Sequence, residues 1–367
     1  GVVRDNGGHA VALAWSMNNV YDVSPGDIFW AASDVGWVVG HSYIVYAPLF
    51  HGCTTILFEG KPVGTPDAGA FWRVISDHKV NVLFTAPTAF RAIKREDPDG
   101  TLMKDYDLSH FRYLFLAGER TDPDTLHWAE EKIGVPVIDH WWQTETGWAI
   151  TSICVGLYAI PVKPGSPTKA APGWNVRILN AEKEPVKTGD IGALCVKLPL
   201  PPSSLPTLWN ADDRFVESYL KEFPGHYKTA DAGYRDEDGY LYIADRKKDM
   251  IISGAFNIYS KEVEQVIIGM ETVAEAAVVG VADEIYGEAV AAFVVLETKG
   301  APDAEQIIAH CKDRIASYKK PKYVFFVDDL PRNSLGKEPK GDLRQSAARL
   351  IGVPAANKAG DVNGPSE

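Results

Sequence analysis

The sequence is poor in cysteine and in long apolar runs. Its 367 residues include only four cysteines, far apart and without CxxC spacing: Cys53, Cys154, Cys195 and Cys311. This spacing favours neither a zinc site nor a disulfide framework, and it suits a reducing compartment. The longest candidate membrane span, residues 43–50, is short and contains a proline, whereas crossing a bilayer takes roughly 20 apolar residues. We therefore expect no membrane span.

Positive charge is also scarce. The chain has 37 Lys and Arg residues against 49 Asp and Glu residues, which gives a formal net charge of −12. This surplus repels nucleic-acid phosphates and anionic membrane surfaces at long range, so neither is an expected partner. No interface signature stands out, and the sequence leaves the oligomeric state open.

The first residues, GVVRDNGGHA, contain no initiating methionine and no signal-peptide pattern. They have the character of a sequence cut in mid-protein. We expect a cytoplasmic protein, or a protein of the mitochondrial matrix if the source is eukaryotic.

Short apolar runs alternate with helical patterns in the first part of the chain. The apolar runs predict strands over residues 54–58, 80–88, 113–119 and 135–138. The amphipathic stretches between them predict helices over residues 71–78 and 122–132. Strands joined by helices are typical of a parallel sheet. Thr88, Glu119 and Asp139 would then end three strands at one edge, where ligands bind in open α/β sheets.

The second part of the chain has a different pattern. Beyond residue 147, prolines and short alternating strands predict a small β subdomain, and the Pro-rich connection at residues 198–206 is long enough to suggest a function. The charge run Asp245–Asp249 is our choice for a domain boundary.

The predicted fold class is therefore α/β. A large N-terminal α/β domain, with a parallel sheet, helices and a small β subdomain, covers residues 1–245. A small mobile α+β domain covers 246–350. The Ala/Gly/Asn/Pro composition predicts a disordered tail over 351–367.

Six motifs occur in a fixed order along the chain: TAPT at 85–88, LAGER at 116–120, DHWWQTETG at 139–147, YKTAD at 227–231, DRKKD at 245–249 and NSLGK at 333–337. Together they resemble the adenylate-forming acyl-CoA synthetase family. The segments DVGWVVGHSYI at 34–44 and LPLPPSSLPTLW at 198–209 look like its short-chain acetyl-/propionyl-CoA synthetase branch. The resemblance implies a ligase that uses ATP, Mg²⁺ and coenzyme A. A carboxylate and ATP give an acyl-adenylate and pyrophosphate, and CoA then gives the thioester and AMP.

The resemblance also implies roles in nucleotide binding. The adenine site would be lined by Gly118, Glu119, Arg120, Asp139, His140 and Trp141. Asp231 and Arg246 would bind the ribose hydroxyls, because a carboxylate and a guanidinium both match a diol.

Further resemblance-based roles concern the chemistry itself. Gln143 and Thr144 would hydrogen-bond the α-phosphate or the acyl carboxylate, and Glu145 would hold Mg²⁺, which prefers oxygen ligands. Lys337 would stabilise the charge that develops during adenylation. Without the motifs, we would interpret Glu145 as an ordinary surface carboxylate and Lys337 as an ordinary solvated loop lysine. Lys248 stands at the family's hinge, about which the small domain would rotate.

The same resemblance assigns the acyl pocket to Trp37, Val38, Val39, Ala117 and Trp142, with Trp142 as a floor that excludes long chains. Ala117 stands where acetate-specific enzymes usually have Val, and Val39 where they usually have Thr. Both changes favour a larger apolar acid, so we rank propionate first, with acetate and butyrate behind. One methylene is worth only ~1–3 kcal/mol of discrimination.

Three departures from the family pattern modify these expectations. The phosphate-binding loop should immediately precede Gly1, so we expect the 367-residue chain to be poorly active. Ala255, after Gly254, replaces a glycine of the predicted CoA tunnel and would narrow it. Asn257 replaces an arginine near the phosphate. We also hypothesise that acetylation of Lys337 would silence adenylation by removing its charge.

Two alternatives stay open at this point. The chain could belong to a ligase that transfers its acyl group to an acceptor other than CoA, such as a carrier-protein thiol. It could also be a non-catalytic nucleotide-binding remnant.

Overall fold

The structure is a computed structural model that describes residues 1–246, 249–253, 256–297, 302–331 and 340–353, with the backbone alone at 245, 246 and 257. The chain separates into two compact units, which change over between Ile243 and Ala244; residues 230–232 group with the second unit. The changeover lies beside the charge run at 245–249. Residues 354–367 of the predicted tail lie outside the described part.

The large unit contains helices, strands and two π-helical segments. The helices are α1 Asn6–Asn19, α2 Ala47–His51, α3 Ala70–His78, α4 Pro87–Glu96, α5 Pro123–Ile133 and α6 Asp212–Phe215. The strands are β1 Ile28–Ala31, β2 Thr54–Thr55, β3 Val82–Thr85, β4 Tyr113–Leu116, β5 Val137–Asp139, β6 Val176–Leu179, β7 Gly192–Lys197, β8 His226–Arg235 and β9 Leu241–Arg246, whose last residues belong to the second unit. The π-helical segments are Gly40–Tyr46 and Val216–Leu220.

A parallel sheet with strand order β2-β1-β3-β4-β5 forms the centre of the large unit. Successive residues of a strand face opposite sides of a sheet. Accordingly Phe84 and Phe115 enter one apolar cluster, whereas Leu83 and Leu114 enter another. Burial on both faces explains why these strands are continuous apolar runs in the sequence.

Local signals fix the bounds of α5. Asp122 caps its first turn by accepting a hydrogen bond from Thr125 N–H at 2.8 Å, and Pro123 occupies the first helical position. Gly134, with φ +76°, ends the helix in the left-handed conformation. The helix expected over 122–132 is therefore present with a shift of one residue.

Other sequence expectations need correction. The strand expected over 54–58 is limited to β2, and Thr88 does not end a strand, because Pro87 already begins α4. The strand β8 was not expected at all; it joins a sheet with order β6-β7-β8-β9.

Gly40 begins the first π-helical segment in close contact with the preceding turn. A Cβ at this position would collide with the Val35 carbonyl oxygen. Only glycine permits this approach, which fixes the turn that carries Trp37, Val38 and Val39.

The small unit combines a mixed sheet with helices. Its strands are β10 Ile251–Ser253, β11 Phe256–Ile258, β12 Val273–Asp283, β13 Gly287–Leu296 and β14 Tyr323–Phe326, and its helices are α7 Ser260–Ile268, α8 Ala304–Arg314 and α9 Lys340–Ile351. The order is β11-β10-β13-β12, with β14 parallel to β13. The helix α9 was not expected from the sequence.

A buried ion pair network joins α7 and α9 within the small unit. The Glu264 carboxylate is bonded by Lys340 and by Lys261, both at 2.8 Å. Burial would raise the pKa of Glu264, but Lys340 and Lys261 outweigh it and lower the pKa to about 2. Lys340 thus fixes the start of α9.

No helix in the described ranges is both long and apolar enough to cross a bilayer.

Candidate active site

The carboxyl ends of β3, β4 and β5 lie side by side at one edge of the parallel sheet. Thr85 pairs with Leu116, and Leu116 pairs with Asp139. The pairing extends past β5, because the His140 N–H donates to the Leu116 oxygen at 2.9 Å. The loops that follow β4 and β5, which carry most of the predicted site residues, therefore leave the sheet next to each other.

Asp139 is a buried carboxyl that connects these two loops. Its Oδ2 accepts a hydrogen bond from the Thr121 N–H at 3.0 Å. Burial raises the pKa of Asp139 to about 7, although Thr121 and Arg120 act in the opposite direction. Asp139 thus holds the loop with Gly118, which is exposed, against the end of β5.

His140 is a core residue. Its Nδ1–H donates to the Leu116 oxygen at 2.8 Å, and its Nε2 accepts from the Tyr21 hydroxyl at 3.1 Å. The rings of Phe84 and Phe115 pack against the imidazole, and burial lowers the pKa of His140 to about 4. Both nitrogens of the imidazole therefore have partners in the protein interior. His140 can contact a nucleotide only through its backbone.

The two tryptophans after His140 have different surroundings. Trp141 is buried, and its backbone exchanges hydrogen bonds with Thr151 at 3.1 and 3.2 Å. Trp142 is half-buried and meets the ring of Tyr43 edge-on, with the centroids 5.6 Å apart. Only Trp142 thus keeps an accessible ring.

Three of the five predicted acyl-pocket residues belong to one apolar cluster or pack against it. Ala117 is buried in the cluster, and Val39 and Trp142 pack against it. Trp37 and Val38 are half-buried in the turn that precedes Val39. The structure therefore brings Val39, Ala117 and Trp142 to the same face of the sheet.

Gln143 is held by strand β8. Its Oε1 accepts a hydrogen bond from the Tyr227 hydroxyl at 2.9 Å, and its Nε2 donates to the Thr229 oxygen at 2.7 Å. These bonds fix the orientation of the amide. The next residue, Thr144, is exposed.

The turn after Gln143 is closed by hydrogen bonds. The Gln143 N–H donates to Thr146 Oγ1 at 3.0 Å, and the Gly147 N–H donates to the Gln143 oxygen at 3.1 Å. Gly147 has φ +81°, and a Cβ there would meet Arg4 and Ser203. The motif needs glycine at this position for both reasons.

Glu145 is half-buried and has one hydroxyl partner. Its Oε1 accepts a hydrogen bond from the Tyr219 hydroxyl at 3.0 Å. Burial, and then the charge of Glu145, raise the pKa of Tyr219. In the described ranges, no three His, Cys, Asp or Glu side chains converge as a metal site. A single carboxylate fits Mg²⁺, which commonly takes one or two carboxylates together with phosphates and waters.

Sequence reasoning missed a polar cluster around Ser203. Arg4 donates to the Thr144 and Ser203 carbonyl oxygens, and His9 Nδ1 is 2.7 Å from Ser203 Oγ. Burial, followed by the charge of Arg4, lowers the pKa of His9 to about 4. Ser203 has φ +76°, a conformation that costs energy for a residue with a side chain. Apart from Thr144, which belongs to the motif at 139–147, only Ser203 carried a signal, because it lies in the Pro-rich connection.

The loop after β4 contributes a carboxylate and a guanidinium. Glu119 is ion-paired with Arg91, which also pairs with Asp122 at 3.5 Å. Arg120 lies against Gly165, where a Cβ would be 2.6 Å from its Nη2. Arg120 Nε is buried and has no hydrogen-bond partner within the described part of the chain. A buried donor without a partner in the protein is available to bond a ligand or a water.

The remaining predicted residues lie in or near the small unit. Asp231 is half-buried in β8, next to Ala230, which has φ +64°. Arg246 ends β9, but its side chain is outside the described part. The residues that lie wholly outside it are Lys248, Gly254, Ala255 and Lys337.

Comparisons with known families give two matches in chain order. The sequence matches the AMP-binding enzyme family over residues 1–201. It matches the AMP-binding enzyme C-terminal domain over residues 262–337.

Individual curated proteins are also similar to the chain. Human "acyl-CoA synthetase short-chain family member 3, mitochondrial" is 47% identical over 348 residues, which cover 94% of this chain and 51% of that protein. The propionate–CoA ligase of Salmonella typhimurium is 41% identical over 347 residues, which cover 92% of this chain and 55% of the ligase. The chain thus spans about half the length of the curated relatives it matches.

Solved structures share the fold. ATP-bound MatB from Rhodopseudomonas palustris superimposes with a TM-score of 0.81 at 27% identity, covering 94% of this chain and 64% of that chain. The anthranilate CoA ligase AuaEII, in complex with anthranoyl-AMP, gives a TM-score of 0.79 at 25% identity with the same coverage.

Proposed function

The chain belongs to the AMP-binding enzyme family, and from this premise we propose that it acts as an ATP-dependent short-chain acyl-CoA synthetase with propionate as its preferred acid. The carboxylate oxygen attacks the α-phosphorus of ATP, the bond to the β-phosphate bridging oxygen breaks, and pyrophosphate leaves. The thiol of CoA then loses its proton and attacks the acyl carbon, and AMP leaves. The names of the human and Salmonella relatives support this assignment.

The observation that carries the proposal is the turn from Gln143 to Gly147. The side-chain amide of Gln143 is held by two hydrogen bonds to β8, and the exposed Thr144 is followed by Glu145 with its half-buried carboxylate. Preorganised groups of this kind lower a barrier because they need no reorganisation during the reaction. We assign the orientation of the reacting phosphate and carboxylate to Gln143 and Thr144.

Glu145 is the residue that would hold Mg²⁺. When bound, the ion would neutralise charge on the phosphates. The contribution of the chain is to keep the carboxylate in place, which Tyr219 does through its hydroxyl.

The nucleotide would lie at the ends of β4 and β5. Arg120 supports this placement, because its buried Nε lacks a partner in the described part of the chain. The exposed backbone at Gly118 offers room for a planar base. Glu119, Asp139, His140 and Trp141 would shape this site, with the His140 imidazole in a supporting role. Asp231 and Arg246 stay our candidates for the ribose.

Roles in the small unit rest on the resemblance. We propose Lys337 for adenylation, Lys248 for the hinge, and Gly254 with Ala255 for the passage of the CoA arm.

Exchange of labelled pyrophosphate into ATP tests the proposal. The polypeptide of the complete reading frame would be assayed with acetate, propionate and butyrate. We expect exchange with all three acids and the highest kcat/KM for propionate. A preference for acetate would refute the pocket assignment, and no exchange with any acid would refute the adenylation chemistry.

A second measurement tests the acceptor. CoA should give a thioester in stoichiometric amounts with AMP. Exchange without thioester would instead favour an acceptor other than CoA.

A further inference from the structure

We propose that Tyr43 is a positioning residue that sets the chain-length limit of the acyl pocket by holding the Trp142 ring in place. This inference rests on the proposed function, because it concerns the acid that this site accepts. Tyr43 lies within the segment 34–44 that resembles the short-chain branch, but no role is assigned to it there.

The first observation is the support of Trp142. Its ring meets Tyr43 at 5.6 Å with an interplanar angle of 86°, and Phe84 at 6.2 Å with an angle of 57°. Edge-to-face aromatic pairs stabilise each other beyond the effect of their buried area. Since Trp142 is only half-buried, these contacts hold one side of the ring while another stays accessible.

The second observation is that Tyr43 cannot move easily. It is fully buried, its hydroxyl lies 3.1 Å from Ser16 Oγ on α1, and its ring packs edge-to-face against Tyr21 at 5.3 Å. Ser16 is itself fixed, because its hydroxyl donates to the Leu13 oxygen at 2.8 Å. The support of Trp142 therefore extends into the core of the large unit.

The third observation concerns the π-helical segment Gly40–Tyr46. Val39, a predicted wall residue, directly precedes the segment, and Tyr43 lies four positions further on. Both residues contribute to the same apolar cluster. The segment and the residue directly before it thus carry the support of the pocket's floor and one wall, and π-helical turns recur at functional sites.

The geometry predicts which substitution opens the pocket. Tyr43→Leu removes the ring that supports Trp142, so the indole can tilt into the vacated space and deepen the site. Tyr43→Phe keeps the ring and loses the hydroxyl with its contacts to Ser16 and Tyr21.

The test is the ratio of kcat/KM for pentanoate to that for propionate, measured by pyrophosphate exchange on the polypeptide of the complete reading frame. We expect Tyr43→Leu to raise the ratio by about tenfold or more, because each methylene is worth about 10–200-fold in an apolar pocket. Tyr43→Phe should keep the ratio within about threefold of that of the parent protein.

A matched control separates this role from loss of stability. Phe90 is fully buried in the other apolar cluster, and Phe90→Leu should lower stability without changing the ratio. If Tyr43→Leu leaves the ratio within about threefold of the parent, or if Phe90→Leu moves it equally, the positioning role is refuted. If the parent protein shows no exchange with any acid, the proposed function itself fails, and the two failures are distinguishable.

Discussion

The hydroxyl of Tyr219 donates a hydrogen bond to the carboxylate of Glu145 at 3.0 Å. The two residues lie 74 positions apart, and the partner comes from the π-helical segment Val216–Leu220. This bond occupies one oxygen of Glu145 and limits the orientations that the other can adopt. Tyr219 therefore controls how the proposed metal-binding carboxylate is presented.

Removal of this hydroxyl should weaken the use of Mg²⁺. We expect Tyr219→Phe to raise the Mg²⁺ concentration for half-maximal pyrophosphate exchange by about threefold to tenfold, because an unrestrained carboxylate loses more freedom on binding. The KM for propionate should stay unchanged. Tyr234→Phe, which removes the hydroxyl of a ring stacked on Tyr242, is the control. An unchanged Mg²⁺ dependence in Tyr219→Phe would contradict the role.

A larger side chain at position 117 should shift the preference towards acetate. Ala117 is buried at the end of β4, and valine there adds about two methyl groups of volume to the wall. We expect Ala117→Val to lower the propionate-to-acetate ratio of kcat/KM by about tenfold. Initial rates with both acids check this. An unchanged ratio would place the acyl chain elsewhere.

The buried carboxyl of Asp139 predicts a pH-dependent cost. Its folded pKa of about 7 lies above the unfolded value, so the folded protein retains a proton that the unfolded chain releases as the pH rises. This contribution to stability is complete below about pH 4 and is lost as the pH rises through 7. When the pH is raised from 5 to 8, the free energy of unfolding of Asp139→Asn should therefore increase by about 3 kcal/mol relative to that of the parent.

Urea unfolding at the two pH values measures this gain. The exposed residue Asp105 supplies the control, Asp105→Asn, which should show no comparable change. Equal effects of Asp139→Asn at pH 5 and pH 8 would show that the carboxyl is not held protonated.

His140 predicts a dependence of the opposite sign. Its folded pKa of about 4 lies below the unfolded value, so the unfolded chain takes up a proton first as the pH falls below about 6.5. When the pH is lowered from 7.5 to 5, this group alone should lower the free energy of unfolding of the parent by about 2 kcal/mol. His140→Asn can still donate to the Leu116 oxygen and should escape this loss.

Thermal or urea unfolding of both proteins at pH 5 and pH 7.5 tests the difference. The exposed His110 serves as the control, as His110→Asn. A variant that loses as much stability as the parent in acid would argue against a neutral, buried imidazole.

Local patterns in the sequence predicted the parallel sheet and several helices. Apolar runs located β3, β4 and β5, and the amphipathic stretch 122–132 located α5 within one residue. These signals are local, since burial on both faces and capping each leave a mark within a few positions.

Contacts between distant residues left no such mark. Arg4 and His9 reach Ser203 across 199 and 194 positions, and the hydroxyl of Tyr21 reaches His140 across 119. The motif therefore indicated a nucleotide role for His140 without indicating that its imidazole is buried. The strand β8 escaped prediction because residues such as Lys228 and Asp231 interrupt its apolar pattern.

The close approach of Gly40 to Val35 has a consequence for anyone who redesigns the substrate range. Because a Cβ at position 40 would collide with the Val35 carbonyl, any other amino acid would force the backbone of the turn with Trp37, Val38 and Val39 to shift. Libraries should therefore keep Gly40 constant and vary side chains such as Ala117 and Tyr43. The backbone of this wall then keeps its position in every variant, and the side chains that project into the pocket determine which acid is preferred.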